Sequence, residues 1–332
     1  MPGLLLTARL ARQCDGDLRA IAARTGAAIT PLILPDDDAP LSPEVLAQVE
    51  AAYASPDSYD VGVRRVWHFL DTLGGAPNLR WAHLGWAGTD NPRFLALRAR
   101  GVRLSNSPGA AAEPIAHSVM AGLLALARRF PHFAAQQRAH RWEQLPIDRR
   151  PRDLSTQTLV VYGLGAIGGE VARLAQAFGL HVIGVRRSPR TAGDAVDELV
   201  HPRDFDGVLP RADWLVVAAP RTPQTEGAIS AARLALLPPH AHLINIARGR
   251  IVDEPALIEA LRSGALAGAY LDVVAQEPLD PASPLWDLPN VILTPHSSWA
   301  AQGNPERARL IFLDNLECWL RGEPLPQAIA ER

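Results

Sequence analysis

Apolar residues cluster in short runs at 159–162, 181–185, 214–218, 242–246, 269–273 and 291–293. These runs have strand length and little alternation, as expected of strands buried on both faces. Helical stretches lie between most of them, and strands alternating with helices predict a doubly wound parallel sheet. Upstream, residues 3–6, 28–34 and 80–84 read as strands and 17–24 as a helix. Ser42-Pro43-Glu44 opens a further helix to about residue 53, with Ser42 as N-cap and Pro43 in the first turn. A long helix over 113–130 is expected to stop near Pro131, and the polar, proline-broken stretch 138–153 reads as a loop. Residues 311–320 carry the stripe of a final helix. There is no internal repeat or heptad.

The chain has 332 residues, a length that suits two domains. Its formal net charge of −2 creates no field for nucleic acid or an anionic membrane surface. Cys14 and Cys318 make no disulfide framework and no metal-binding or redox CxxC pair, so a reduced cytoplasm is the expected location. The N-terminal leucines are too few for a signal core, and the apolar stretch 115–126 is broken by His117 and too short for a membrane span. All 33 Lys+Arg residues are arginine. A guanidinium cannot form a Schiff base or carry a shifted proton. That excludes PLP enzymes, lysine aldolases, Walker A nucleotide sites and nicotinamide enzymes whose mechanism requires a lysine.

The sharpest motif is Gly163-Leu164-Gly165-Ala166-Ile167-Gly168, entered directly from the apolar run 159–162 and followed by a helical stretch over 167–178 that ends at Gly179. A strand before and a helix after turn a bare GxGxxG into a dinucleotide fingerprint. Gly163 permits the tight turn, Gly165 lets the pyrophosphate approach, and Gly168 allows helix and strand to pack closely. An NAD site usually carries Asp or Glu at the end of the next strand. Here the residues are Arg186, Arg187 and Ser188, which suit the 2′-phosphate of NADP(H), with NAD(H) as the alternative. A solvated basic turn would explain the same residues without a ligand.

Three later strands are each followed by a candidate catalytic side chain: Arg248, Glu277 and His296. The carboxyl ends of strands line the ligand crevice in such folds. An arginine can fork onto the carboxylate of a 2-oxo acid and polarise the adjacent carbonyl. A histidine can deliver the proton that reduction requires, and a glutamate can orient that imidazole. Each residue alone also has a structural explanation, as an ion-pair partner, a turn or a core histidine.

Taken together, the segments from about residue 104 to 299 resemble the D-isomer-specific 2-hydroxyacid dehydrogenases, in particular NADP-type glyoxylate/hydroxypyruvate reductases. The resemblance implies that Arg248, Glu277 and His296 are the catalytic set. It also implies that Asp272 holds the nicotinamide carboxamide and that Ile246 and Ala247 lie beside the nicotinamide. Ala219, Pro220 and Thr225 would form a cofactor-facing turn. Trp86, Ala87 and Gly88 fall where that family grips the substrate carboxylate, although Trp86 replaces a small residue. His117 departs from a usual Glu, and Trp299 could wall the pocket or pack in a hinge. The implied fold is two Rossmann-like, doubly wound domains. A cofactor domain over 101–299 is inserted into a discontinuous, flavodoxin-like substrate domain of 1–100 and 300–332, and members are commonly homodimers joined through the cofactor domain.

The implied activity is NADPH-dependent reduction of a small 2-oxo acid to the D-2-hydroxy acid. Two other readings stay open: an NAD-linked 2-hydroxyacid dehydrogenase, and a dinucleotide-sensing, corepressor-like binding protein. A Rossmann protein holding FAD or S-adenosylmethionine would leave the Arg–Glu–His set without a role.

Overall fold

The computed structural model describes residues 1–37, 39–56 and 63–329. It divides into two compact units, Met1–Ala111 with Ala301–Arg332, and Ala112–Ala300. The first crossing therefore lies about ten residues beyond the expected boundary at 100/101. The reason is a short strand, Arg103–Asn106, whose register on Trp81–Leu84 keeps that stretch in the first unit.

In the first unit five parallel strands, β1 (Gly3–Thr7), β2 (Thr30–Leu34), β3 (Val49–Ala54), β4 (Trp81–Leu84) and β5 (Arg103–Asn106), lie in the order β2-β1-β3-β4-β5. This is the flavodoxin-like order. The helix opened by Ser42 does form, but it lasts only over Pro43–Leu46 before the chain turns into β3. Val49 and Ala51–Ala54 are buried between β1 and β4. Ladder bonds and burial override the helical propensity of an alanine-rich stretch.

The second unit holds seven parallel strands. They are β6 (Thr158–Tyr162), β7 (His181–Val185), β8 (Glu198–Val200), β9 (Trp214–Val217), β10 (His242–Asn245), β11 (Gly268–Leu271) and β12 (Val291–Leu293). Their order is β12-β11-β10-β9-β6-β7-β8, a Rossmann arrangement whose winding reverses between β6 and β9. The Ala112–Ala127 helix ends as expected before Pro131, but that proline then opens a new helix, Phe130–Arg138. Proline suits a first helical turn because its missing N–H has no partner there. Among the described residues no helix is long and apolar enough to cross a membrane.

Candidate functional site

The candidate chemistry lies along the carboxyl ends of five neighbouring strands in the second unit. From β6 outward the order is the glycine loop after β6, the Ala219 turn after β9, Arg248 after β10, Glu277 after β11 and His296 after β12. Arg248 and His296 thus follow strands two places apart, about 10 Å at ordinary strand spacing.

The three loop glycines answer to different neighbours. Gly163 has φ +105°, and a Cβ there would lie 2.4 Å from the Ala219 amide nitrogen. A Cβ on Gly168 would lie 2.1 Å from the Gly163 carbonyl oxygen. The protein's own packing therefore requires both glycines. A Cβ on Gly165 meets no protein atom within 4 Å. The space beside it suits a group from outside the chain. The Ala166–Ala177 helix starts there with no side-chain cap, so its first N–H groups are available to an anion. Leu164 is buried and packs toward Gly184 of β7, while Ile167 is half-buried. The arrangement fits a dinucleotide pyrophosphate.

The arginine corner differs from the sequence expectation. Arg186 does not stand free: its guanidinium makes a bidentate pair with Asp194 at 2.7 and 2.5 Å and donates to the carbonyls of Ser188 and Pro189. A carboxylate eight residues along the chain is thus present at this corner and engages the first arginine. Arg187 and Ser188 are exposed. Among the described residues Arg187 makes no hydrogen bond or ion pair, yet its charge acts on Tyr162, the residue leading into the glycine loop.

The Arg248 turn is shaped by Asn245, whose side chain accepts from the Ala247 amide and donates to the Arg248 carbonyl. The loops after β10 and β11 come together at Gly249, where a Cβ would lie 1.9 Å from the Val274 carbonyl carbon. Only a glycine allows that approach. Glu254 accepts from the Ala275 amide at 2.7 Å and steadies the same loop.

His296 Nδ1 lies 2.7 Å from Glu277 Oε2. Among the described residues the other ring nitrogen, Nε2, has no hydrogen-bond partner. Burial pushes the Glu277 carboxyl up, but the hydrogen bond with His296 and the charges of His296 and Arg248 outweigh it and hold the group below the ordinary glutamate value. His296 itself has φ +50°, a left-handed conformation that costs energy for a residue with a Cβ. Its N–H donates to the Asp272 carbonyl at 2.8 Å, and its carbonyl accepts from the Trp299 indole at 2.8 Å. Trp299 is therefore a brace for the histidine loop.

Asp272, which the resemblance places at the nicotinamide carboxamide, is tied to the histidine loop. It is buried, and its carboxylate accepts from Thr294 Oγ1, the amides of Ser297 and Ser298, and Ser298 Oγ. These bonds anchor the histidine loop. Thr225 likewise closes its own turn, donating to the Pro220 carbonyl at 2.6 Å and accepting from the Thr222 amide at 2.8 Å. Ala219, Ile246 and Ala247 are buried in the second unit, and Pro220 is exposed.

Trp86, Ala87 and Gly88 belong to the first unit, after β4. The Trp86 ring packs against Phe94 with centroids 6.2 Å apart, and Asn106 Nδ2 donates to the Ala87 carbonyl at 2.8 Å. His117 is exposed on the Ala112–Ala127 helix. The hydrogen bond from Arg173 holds the Glu170 carboxyl below its usual value, and the charge of His117 adds to that effect. Asp194, Asn245, Gly249, Glu254, Thr294 and Ser298 carried no sequence motif of their own. Asn245, as a turn-forming side chain just past an apolar run, was the one most open to prediction.

Comparison with known proteins gives a consistent picture. Residues 120–298 match the family model described as D-isomer specific 2-hydroxyacid dehydrogenase, NAD binding domain. A glyoxylate/hydroxypyruvate reductase B from Pectobacterium carotovorum is 37% identical over 76% of this chain and 79% of its own length. A D-3-phosphoglycerate dehydrogenase from Mycobacterium leprae is 36% identical over 78% of this chain, which spans only 48% of that longer protein. Among solved structures, a D-isomer specific 2-hydroxyacid dehydrogenase from Xanthobacter autotrophicus in complex with NADPH and MES superimposes with a TM-score of 0.75. It is 30% identical, over 99% of this chain and 97% of that one.

Proposed function

Because the chain belongs to the D-isomer specific 2-hydroxyacid dehydrogenase family, we propose that it reduces a small 2-oxo acid of the glyoxylate or hydroxypyruvate kind to the D-2-hydroxy acid, with NADPH as reductant. The observation that carries this reading is the Glu277–His296 hydrogen bond of 2.7 Å, formed beside Arg248 on strands that follow the glycine loop. The cofactor's pyrophosphate would be held by the loop from Gly163 to Gly168 and its 2′-phosphate by the corner at Arg187 and Ser188. When bound, the nicotinamide supplies the hydride. Arg248 takes the substrate carboxylate with its planar fork and draws negative charge onto the carbonyl oxygen. His296 gives its Nε2 proton to that oxygen as it becomes a hydroxyl. Glu277 holds Nδ1, which fixes the ring's orientation and favours the imidazolium before transfer. The same reading includes a homodimer joined through the cofactor domain, supported by the exposed Phe130, Phe133, Trp142 and Ile147 on that unit.

The test is a panel of 2-oxo acids, glyoxylate, hydroxypyruvate and pyruvate among them, assayed with NADPH and with NADH. Turnover is expected with NADPH preferred, and His296→Asn should lower kcat by about 10²- to 10⁴-fold. Tight NADPH binding with no turnover of any 2-oxo acid would overturn the reading and leave a dinucleotide-sensing protein.

A further inference from the structure

The corner after β7 carries three arginines, and their contacts separate them. Arg186 uses four of its five N–H donors inside the corner, on Asp194, Ser188 and Pro189. Its side chain is 15% exposed and that of Asp194 is 9% exposed. Asp194 also accepts from the Thr191 amide at 2.7 Å, and the Arg186 amide donates to the Val200 carbonyl of β8 at 3.1 Å. The segment is thus closed into a ring and tied to the sheet. Arg190 turns back as well, donating to the Val196 and Asp197 carbonyls. Arg187 is left exposed, with its charge felt at Tyr162 beside the glycine loop.

Taking Arg187 as the 2′-phosphate ligand of the NADPH reading, we infer that Asp194, acting through Arg186, is a positioning residue that sets the preference for NADP(H) over NAD(H). The inference rests on the NADPH reading above. Asp194 cannot serve as the acid that binds a ribose diol, because both of its oxygens are already engaged and its side chain is buried. Left unpaired, the same carboxylate would repel a phosphate group. Paired with Arg186 it is neutralised, and it shapes the backbone that presents Arg187 and Ser188. A planar fork held by four hydrogen bonds loses less entropy than a free arginine would in playing this part.

The sign of one substitution separates this arrangement from its rival, in which Arg186 is a second phosphate ligand restrained by Asp194. Binding of NADPH, NADH and adenosine 2′,5′-bisphosphate is measured calorimetrically on the full chain. Arg187→Met should weaken NADPH and the bisphosphate by about 10- to 100-fold, the range for a hydrogen bond to a charged group, and leave NADH unchanged. Asp194→Asn should weaken NADPH by a smaller factor, with partial recovery in Asp194→Glu. It should add nothing to Arg186→Met, since both changes break one pair. Retained NADH affinity in each variant shows that the protein has folded. If Asp194→Asn binds NADPH as tightly as the wild-type protein or more tightly, the inference is overturned while the NADPH reading stands; intact NADPH binding in Arg187→Met overturns the inference together with the assignment of the 2′-phosphate to this corner. A wild-type protein with no preference for NADPH overturns both.

Discussion

At the scale of single residues, burial decides what an ionisable group can do. His83 on β4 is fully enclosed, with Nδ1 2.7 Å from Ser105 Oγ and Nε2 2.8 Å from Ser107 Oγ. Trp81 Nε1 donates to the same Ser105 hydroxyl at 2.9 Å. With Nε2 protonated, Ser105 accepts from Trp81 and donates to Nδ1, and Nε2–H donates to Ser107. Burial alone pushes His83 down to about 3 from an ordinary 6.5. The folded value lies below the unfolded one, so the neutral ring's contribution is complete above pH 6.5. It is lost progressively as pH falls toward 3, because the unfolded chain takes up the proton first. At pH 5 the loss from this group is about 2 kcal/mol. Urea unfolding at pH 7 and pH 5 should show it, and His83→Asn should flatten that part of the dependence. An identical pH slope in the variant would discard the account. Glu277 shows the opposite balance, since its partners outweigh burial and keep it ionised as a brace for His296.

At the scale of elements, the glycine loop separates packing from binding. Gly168→Ala puts a methyl against the Gly163 carbonyl and should destabilise the protein by about 1–3 kcal/mol, as overpacking does. Gly165→Ala meets no protein atom, so the melting temperature should hold while NADPH affinity falls by about tenfold or more. Melting curves and binding isotherms on the two variants check both halves. Equal loss of stability in the two would refute the division. The loop was legible because strand, glycines and helix are contiguous in sequence. The short strands Arg103–Asn106 and Glu198–Val200 were missed because neither carries a buried apolar run. The stretch after Ser42 was misassigned because propensity is local, whereas the ladder partners of β3 come from residues 3–5 and 81–84.

At the scale of the whole molecule, the exposed side chains of Phe130, Phe133, Trp142 and Ile147 lie close together in sequence on the cofactor unit, and Trp142 is fully accessible. These exposed apolar groups support the proposed homodimer, in which the cofactor units would cover them. Light scattering should give a mass about twice the 35.8 kDa of the chain. Phe133→Glu with Trp142→Glu should shift it to the monomer. A monomeric wild-type protein at assay concentration would rule the homodimer out.

The sequence by itself determined the parallel architecture, the glycine loop and the order of Arg248, Glu277 and His296, because apolar runs and motif spacings are local and survive without coordinates. Tertiary structure alone decided which arginine faces outward, that Asp272 anchors the histidine loop and that Trp299 braces His296. Those outcomes depend on which donor reaches which acceptor. Asp194 is eight residues from Arg186, and Ser298 is twenty-six from Asp272, with nothing in the intervening sequence to mark either pair. A hydrogen bond's choice of partner is settled by distance in space, and a linear pattern of residues does not contain that distance.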